Sequence, residues 1–95
     1  MAAYIIARVS VTDPDEYAKY KLLTPAAIEA YGGKFIVRGG DHHVLEGAAD
    51  DRRVVVLEFP TSVAARAFYN SPEYIEARMV RSGAAEMDMI VVEGA

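Results

Sequence analysis

Four stretches of the chain are rich in β-branched residues and alternate apolar with polar positions or run apolar without a break. They are "AYIIARVSV" (3–11), "KFIVR" (34–38), "RRVVVLEF" (52–59) and "EMDMIVVE" (86–93). Each reads as a strand. After the first, Tyr17, Tyr20, Leu23, Ala27 and Tyr31 recur at helical spacing. "TDPDEY" supplies the start of that helix, with Asp13 as cap, Pro14 in the first helical position and Glu16 three residues after the cap. Pro25 lies inside the segment and is expected to kink or split it. Gly32-Gly33 ends it with a left-handed glycine cap. "PTSVAARAFYN" opens a second helical region, with Thr61 or Ser62 as cap and Ala64, Ala67 and Phe68 on one face. "SPEY" restarts it: Ser71 caps, Pro72 leads, and Glu73 sits at the positive helix end. This piece runs to about Ser82, and Gly83 stops it. A polar, glycine-punctuated connection separates the second and third strands. It holds His42, His43 and Asp50-Asp51, with a short strand expected at His43–Glu46.

The order β-α-β-β-α-β predicts an α+β, ferredoxin-like sandwich filling one domain, residues 1–95. Its antiparallel four-stranded sheet has the order 4-1-3-2, with the helices on one face. Alternation puts Ile5, Ala7 and Val9 on one side of the sheet and Tyr4, Ile6 and Arg8 on the other. Val55, Leu57 and Phe59 likewise oppose Val54, Val56 and Glu58. Phe35 and Val37 oppose Ile36 and Arg38. Met87, Met89 and Val91 oppose Asp88, Ile90 and Val92. Both faces are apolar, yet the helices can cover only one. A surface bearing Ile6, Ile36, Val54, Val56, Ile90 and Val92 points to a homodimer whose sheets meet face to face across a two-fold axis. Asp88, Arg8, Glu58 and Arg38 are expected to cross that surface as a row of alternating charge.

Composition agrees with pairing. A chain of 95 residues buries only roughly 60–65% of its unfolded surface. Hydrophobic residues make up 53% of it, above the roughly 45–50% of soluble domains. A net charge of −4 without a basic cluster makes nucleic acid and anionic membranes poor partners. With no cysteine, disulfides and thiolate chemistry are excluded. "MAAYIIARVSV" reads as a strand and not as a signal peptide, and no apolar run approaches the roughly 20 residues of a membrane span. The expected compartment is the cytoplasm.

The adjacent histidines invite a metal or acid–base reading. Neighbouring residues on a strand point in opposite directions, and no third ligand follows at a suitable spacing. A solvated connection is the better reading, with one histidine, His43, at a pocket rim as the sharper one. Tyr74, Arg78 and Arg81 share one helix face and could hold a carboxylate or phosphate, with Ser71 at the helix start adding backbone amides. Alternatively, that face is wet, with Tyr74 packed under Arg78. Tyr17, Tyr20, Tyr31, Tyr69 and Tyr74 fit core packing with the hydroxyl at the rim, or the wall of a phenol-lined pocket. Neither a phosphate-binding glycine loop nor a serine nucleophile motif is present. No metal and no cofactor are expected.

"YGGKFIVRGG", then "LEG", then "VVVLEFPTSVAARAFYNSPEY", Arg81 and a closing "VVEG" resemble, across nearly the whole chain, the small bacterial family called domain of unknown function 1330. The resemblance implies the dimeric α+β barrel superfamily, in which ferredoxin-like sheets pair back to back and pockets lie between each sheet and its own helices. Its motif positions fall here on Arg38, Phe68, Tyr69, Ser71, Tyr74 and Arg81. Relatives include cofactor-free monooxygenases, haem-degrading enzymes, muconolactone isomerases and stress-responsive binding proteins, too diverse a set to transfer an activity. Haem is disfavoured, because the haem-degrading branch uses a helical histidine and both histidines here lie outside the predicted helices. The expected function is binding of a small anionic or aromatic metabolite by Arg38, His43, Tyr69, Ser71, Tyr74 and Arg81. The alternative is a cofactor-free monooxygenase or isomerase in which a histidine or tyrosine moves a proton. A closed, dry pocket holding a histidine or carboxylate would mark the enzyme. A solvated cleft of arginine and tyrosine would mark the binder, and the lack of any cavity above roughly 300 Å³ an assembly-only protein.

Overall fold

The computed structural model describes residues 1–95. The chain runs β1 (Ala3–Val11), α1 (Pro14–Ala30), β2 (Lys34–Arg38), β3 (Arg53–Phe59), α2 (Ser62–Tyr69), α3 (Pro72–Arg81) and β4 (Ala85–Glu93). The four strands form one antiparallel sheet in the order β2-β3-β1-β4, the predicted order read from its other edge. Three predicted caps form. The Asp13 carboxylate accepts from the Glu16 amide, the Thr61 hydroxyl from the Ala64 amide, and the Ser71 hydroxyl from the Tyr74 amide. Each satisfies an amide that has no partner within its own helix. Gly32 takes a φ of 79° just past α1, where a side chain would be strained.

Pro25 does not divide α1, which continues unbroken from Pro14 to Ala30. A proline here frees the carbonyl of Lys21, four residues back. That oxygen is taken up by the Thr24 hydroxyl at 3.5 Å. Thr24 is buried, while Leu23 is exposed. In α2 the inward residues are Ala65 and Phe68, and the expected Ala67 faces water. The restart at Ser71 makes α2 and α3 separate helices.

All three helices lie on one face of the sheet. The core between them is built from Ile5, Ala7 and Val9 of β1, Leu57 and Phe59 of β3, and the rings of Tyr17, Tyr20, Phe68 and Tyr74. Phe68 sits at its centre, with ring centroids 5.2 Å from Phe59 and 4.4 Å from Tyr74. The other face carries no helix. Ile90, Val92 and Val37 are exposed there, with Ile6, Val54 and Val56 half-buried among them.

The expected row of alternating charge on this open face does not form. Arg8 and Asp88 are opposite each other, but Arg8 pairs with Asp50 at 3.5 Å and Asp88 with Arg52 at 2.6 Å. Glu58 lies opposite Tyr4 and pairs with Lys34 at 3.2 Å. Arg38 is on the other face altogether. Nor does a strand form at His43–Glu46. Gly39, at φ 74°, turns the chain out of β2, and residues 40–49 are exposed without sheet partners. His42 donates from Nε2 to the Asp50 carbonyl at 2.9 Å, which ties the base of this loop. No helix is long and apolar enough to cross a membrane.

Candidate functional site

A bulge in β2 places the first functional side chain. Phe35 pairs with Leu57, but Val37 pairs with Val56 and Arg38 with Val55, so Ile36 is an extra residue. Such an insertion reverses which face the following side chains take. Val37 therefore joins the open face, and Arg38 turns under the helices beside Phe35. Its guanidinium carbon stands 4.2 Å from the Phe35 ring centroid. Unbroken alternation would have sent Arg38 to the opposite side.

Arg38 borders a cavity between the sheet and the helices. Its floor is apolar, with Ile5, Leu57, Phe68 and Met89, and its mouth is polar, with Lys21, Arg38 and Arg53. The enclosed space is about 40 Å³, room for roughly one to three waters. Tyr20 and Tyr74 close one wall, their hydroxyls 2.7 Å apart. Burial pushes both phenols above the ordinary tyrosine pKa, Tyr20 the further, so they stay protonated near neutral pH. One of the two protons makes the mutual bond, and the other remains to donate.

The neighbouring Tyr17 stacks its ring on Tyr20 at 5.3 Å between centroids. Burial raises the Tyr17 pKa, and the positive charges of Arg53, Arg81 and Arg38 each pull it back. Arg81 stands 5.3 Å from the Tyr20 ring centroid. Arg53 donates from Nη2 to the Arg38 carbonyl at 3.4 Å. It also packs so closely on Gly39 that any side chain there would strike its guanidinium. None of Arg38, Arg53 and Arg81 forms an ion pair.

The other residues singled out from sequence divide. Ser71 is buried and fully engaged, since its hydroxyl donates to the Phe68 carbonyl at 2.6 Å and accepts from the Tyr74 amide. Its role is to cap α3. Tyr69 lies on the outside of α2 and is clasped by Arg78, whose guanidinium stands 4.2 Å from the ring centroid and bonds the phenol at 3.1 Å. His43 belongs to the exposed loop and lines grooves outside the cavity, one of which shares Arg53 with it. The cavity lining thus brings together Arg38 and Tyr74, while Arg81 reaches only the Tyr20 ring from outside that lining, and His43, Tyr69 and Ser71 are left out. No group of three or more His, Cys, Asp or Glu side chains could hold a metal ion. Arg53 was missed, although it shares strand parity with Val55 and Leu57, which was signal enough to put it under the helices.

The family model described as Domain of unknown function (DUF1330) matches residues 2–95. The chain belongs to this family. Among solved structures, the DUF1330 chain is similar to RPA0582 from Rhodopseudomonas palustris, described as a protein of unknown function. The identity is 25% and the TM-score 0.73, over 99% of this chain and 82% of that one. It is also similar to SnoaB from Streptomyces nogalater, described as a cofactor-independent oxygenase, at 16% identity and a TM-score of 0.67 over 99% and 93%. A dimeric ferredoxin-like protein of unknown function from Jannaschia sp. CCS1 superposes with a TM-score of 0.71 at 10% identity, over 99% and 100%. At such identities the likeness is one of fold, that of the dimeric α+β barrel proteins. No curated protein matches the DUF1330 chain.

Proposed function

We propose that the chain forms a homodimer through its open sheet face, and that each protomer binds a small anionic or aromatic metabolite at the cavity beneath its helices. The observation that carries the binding reading is the bulge at Ile36, which turns Arg38 to the mouth of an otherwise apolar cavity. Bulges that re-aim a side chain are characteristic of functional sites. A ring or alkyl body suits the floor of Ile5, Leu57, Phe68 and Met89. A carboxylate, phenolate or enolate suits guanidiniums, which match planar oxyanions with two parallel hydrogen bonds. The spare proton of the Tyr20–Tyr74 pair can add a third bond. Because the enclosed space is about 40 Å³ and ligand pockets run to roughly 300 Å³ and more, the ligand's charged end sits in the mouth. Its body displaces Met87 and Met89, unbranched side chains that repack readily.

A second reading, a cofactor-free monooxygenase or isomerase, draws on the fold shared with SnoaB, described as a cofactor-independent oxygenase. It needs a proton-transfer group within reach of the cavity. His43 lies elsewhere, and the cavity lining holds no carboxylate. Tyr20 and Tyr74 have pKa values raised by burial, which suits them to donate a hydrogen bond and unsuits them as bases. Binding is therefore better supported than catalysis, while a space of about 40 Å³ falls below the roughly 300 Å³ set for a ligand pocket, so binding requires Met87 and Met89 to move.

Calorimetric titration with benzoate tests it. The wild-type dimer binds, and Arg38→Met weakens binding about tenfold, the loss expected for one charge-assisted contact, while the melting temperature holds. Equal affinity in the variant, or no heat of binding to the wild type, counts against the reading.

A further inference from the structure

We infer that the loop between β2 and β3 is a dimer arm: Val44 and Leu45, at its tip, pack on the second copy and widen the contact that the open sheet face begins. The inference rests on the pairing proposed above and names a further part of its surface. The first ground is area. Strands of nine, five, seven and nine residues, at roughly 3.4 Å per residue and 4.8 Å between strands, cover about 490 Å² of sheet. Stable, specific interfaces bury roughly 800 Å² on each partner. Flanking segments therefore have to contribute. The helices lie on the far side of the sheet, which leaves the connections between elements and the termini. The loop between Arg38 and Arg53 is the longest of these connections.

The second ground is where the loop sits and what it exposes. Asp50 pairs with Arg8 at 3.5 Å and Arg52 with Asp88 at 2.6 Å, and both Arg8 and Asp88 belong to the open face. One groove is lined jointly by Arg8 and Val54 of that face and by Val44, Leu45 and Ala49 of the loop. The apolar surface of the sheet thus continues onto the loop. Val44 is 44% and Leu45 94% exposed, although the bond from His42 to the Asp50 carbonyl at 2.9 Å closes the loop's base. That base is fixed before any partner arrives, which lowers the ordering cost of a contact made by the tip. Single exposed apolar side chains are ordinary on a protein surface, and Leu22, Val63 and Met79 are also exposed. Those three sit on the helices, across the sheet from the open face. Val44 and Leu45 instead adjoin an apolar surface that itself needs cover.

Leu45→Asp and Leu22→Asp place the same charge at two exposed positions, one beside the open face and one on α1. Sedimentation velocity of the full-length protein across a dilution series compares both with the wild type. For Leu45→Asp the dissociation constant of the dimer should rise about tenfold or more, the loss expected when one leucine is no longer buried. For Leu22→Asp it should stay within about twofold of the wild type. A wild-type constant for Leu45→Asp overturns the inference and leaves the sheet pairing standing. If that variant instead binds benzoate more weakly, the loop is a lid on its own cavity. An equal rise for Leu22→Asp also overturns the inference, because the loop then has no special place. A wild-type chain that stays monomeric removes both the arm and the pairing. The chain has no cysteine, so one introduced thiol gives a second readout that does not depend on Leu45→Asp folding. Leu45→Cys should react with a maleimide about tenfold more slowly than Leu22→Cys where the protein is dimeric, and equally fast once it is diluted to monomer. Equal rates at both concentrations overturn the inference.

Discussion

The two faces of the sheet are built from nearly the same residue types and meet opposite fates. Under the helices, Ile5, Val9, Leu57 and Phe59 are sealed by four aromatic rings from α1, α2 and α3. On the open side, Ile6, Val54, Val56, Ile90 and Val92 form an apolar surface with only ion pairs at its margins. The covered face stabilises the single chain. In the proposed dimer the open face meets a second copy. If the proposed pairing holds, a hydrophobic residue acts mainly on folding or on association, according to its parity along the strand. The one place where parity fails, the bulge at Ile36, is where a charge enters the covered side.

The sharpest test of the division is a pair of truncations read by two methods. Phe68 is 1% exposed and touches both Phe59 and Tyr74. Phe68→Ala should cost roughly 3–5 kcal/mol of folding stability through lost burial and the void left behind. Chemical denaturation measures this, and sedimentation of whatever remains folded should still show dimer. A cost under about 1 kcal/mol would mean that the helices do not seal this face as described.

The complementary change is Ile90→Asp. Ile90 is 59% exposed in the single chain, so its loss disturbs no packing there. In the proposed dimer a carboxylate would be buried without a partner. The dissociation constant of the dimer should rise about a hundredfold, or roughly 2.7 kcal/mol. Sedimentation velocity across a dilution series reads it, with far-ultraviolet dichroism expected to stay unchanged. A wild-type chain that sediments as one copy at micromolar concentration would refute the pairing.

Much of this division was legible in the sequence, because strand alternation, helix caps and glycine stops are local and each has one dominant cause. Asp13, Thr61 and Ser71 cap as their neighbours dictate. What escaped depends on partners distant in sequence. The bulge that sends Arg38 inward is a matter of how β2 meets β3, and nothing in "KFIVR" marks Ile36 as the extra residue. Pro25 is tolerated because Thr24 takes the carbonyl it frees, a compensation that outweighs the general rule. The row of charge across the open face failed for a similar reason. Arg52 and Asp50, adjoining β3, reach Asp88 and Arg8 first, so the loop captures ions that strand pairing alone would have matched. For the site, residue type was a better guide than motif. Arginines and tyrosines met at the cavity, whereas the histidine pair that draws the eye stayed in the loop.

That loop offers the gentlest way to sharpen the contrast between the faces, because it is tied to the open one by charge. Asp50 accepts from the Arg52 amide and guanidinium and also pairs with Arg8. These bonds, led by those of the Arg52 side chain, lower its pKa from 3.8 to about 2. A carboxyl whose folded pKa is depressed contributes stability that is fully present above its unfolded value and is lost as pH falls through the folded one. The contribution of Asp50 is thus intact above about pH 4 and fades towards pH 2. Asp50→Asn removes the charge while keeping the shape, so the variant should show a smaller fall in melting temperature over that interval than the wild type. Both should behave alike in calorimetry with benzoate, since Asp50 lies outside the cavity's lining. Parallel acid profiles for the two proteins would show that the loop's anchor on the open face contributes nothing to the folded chain, and that the apolar surface must hold its shape without it.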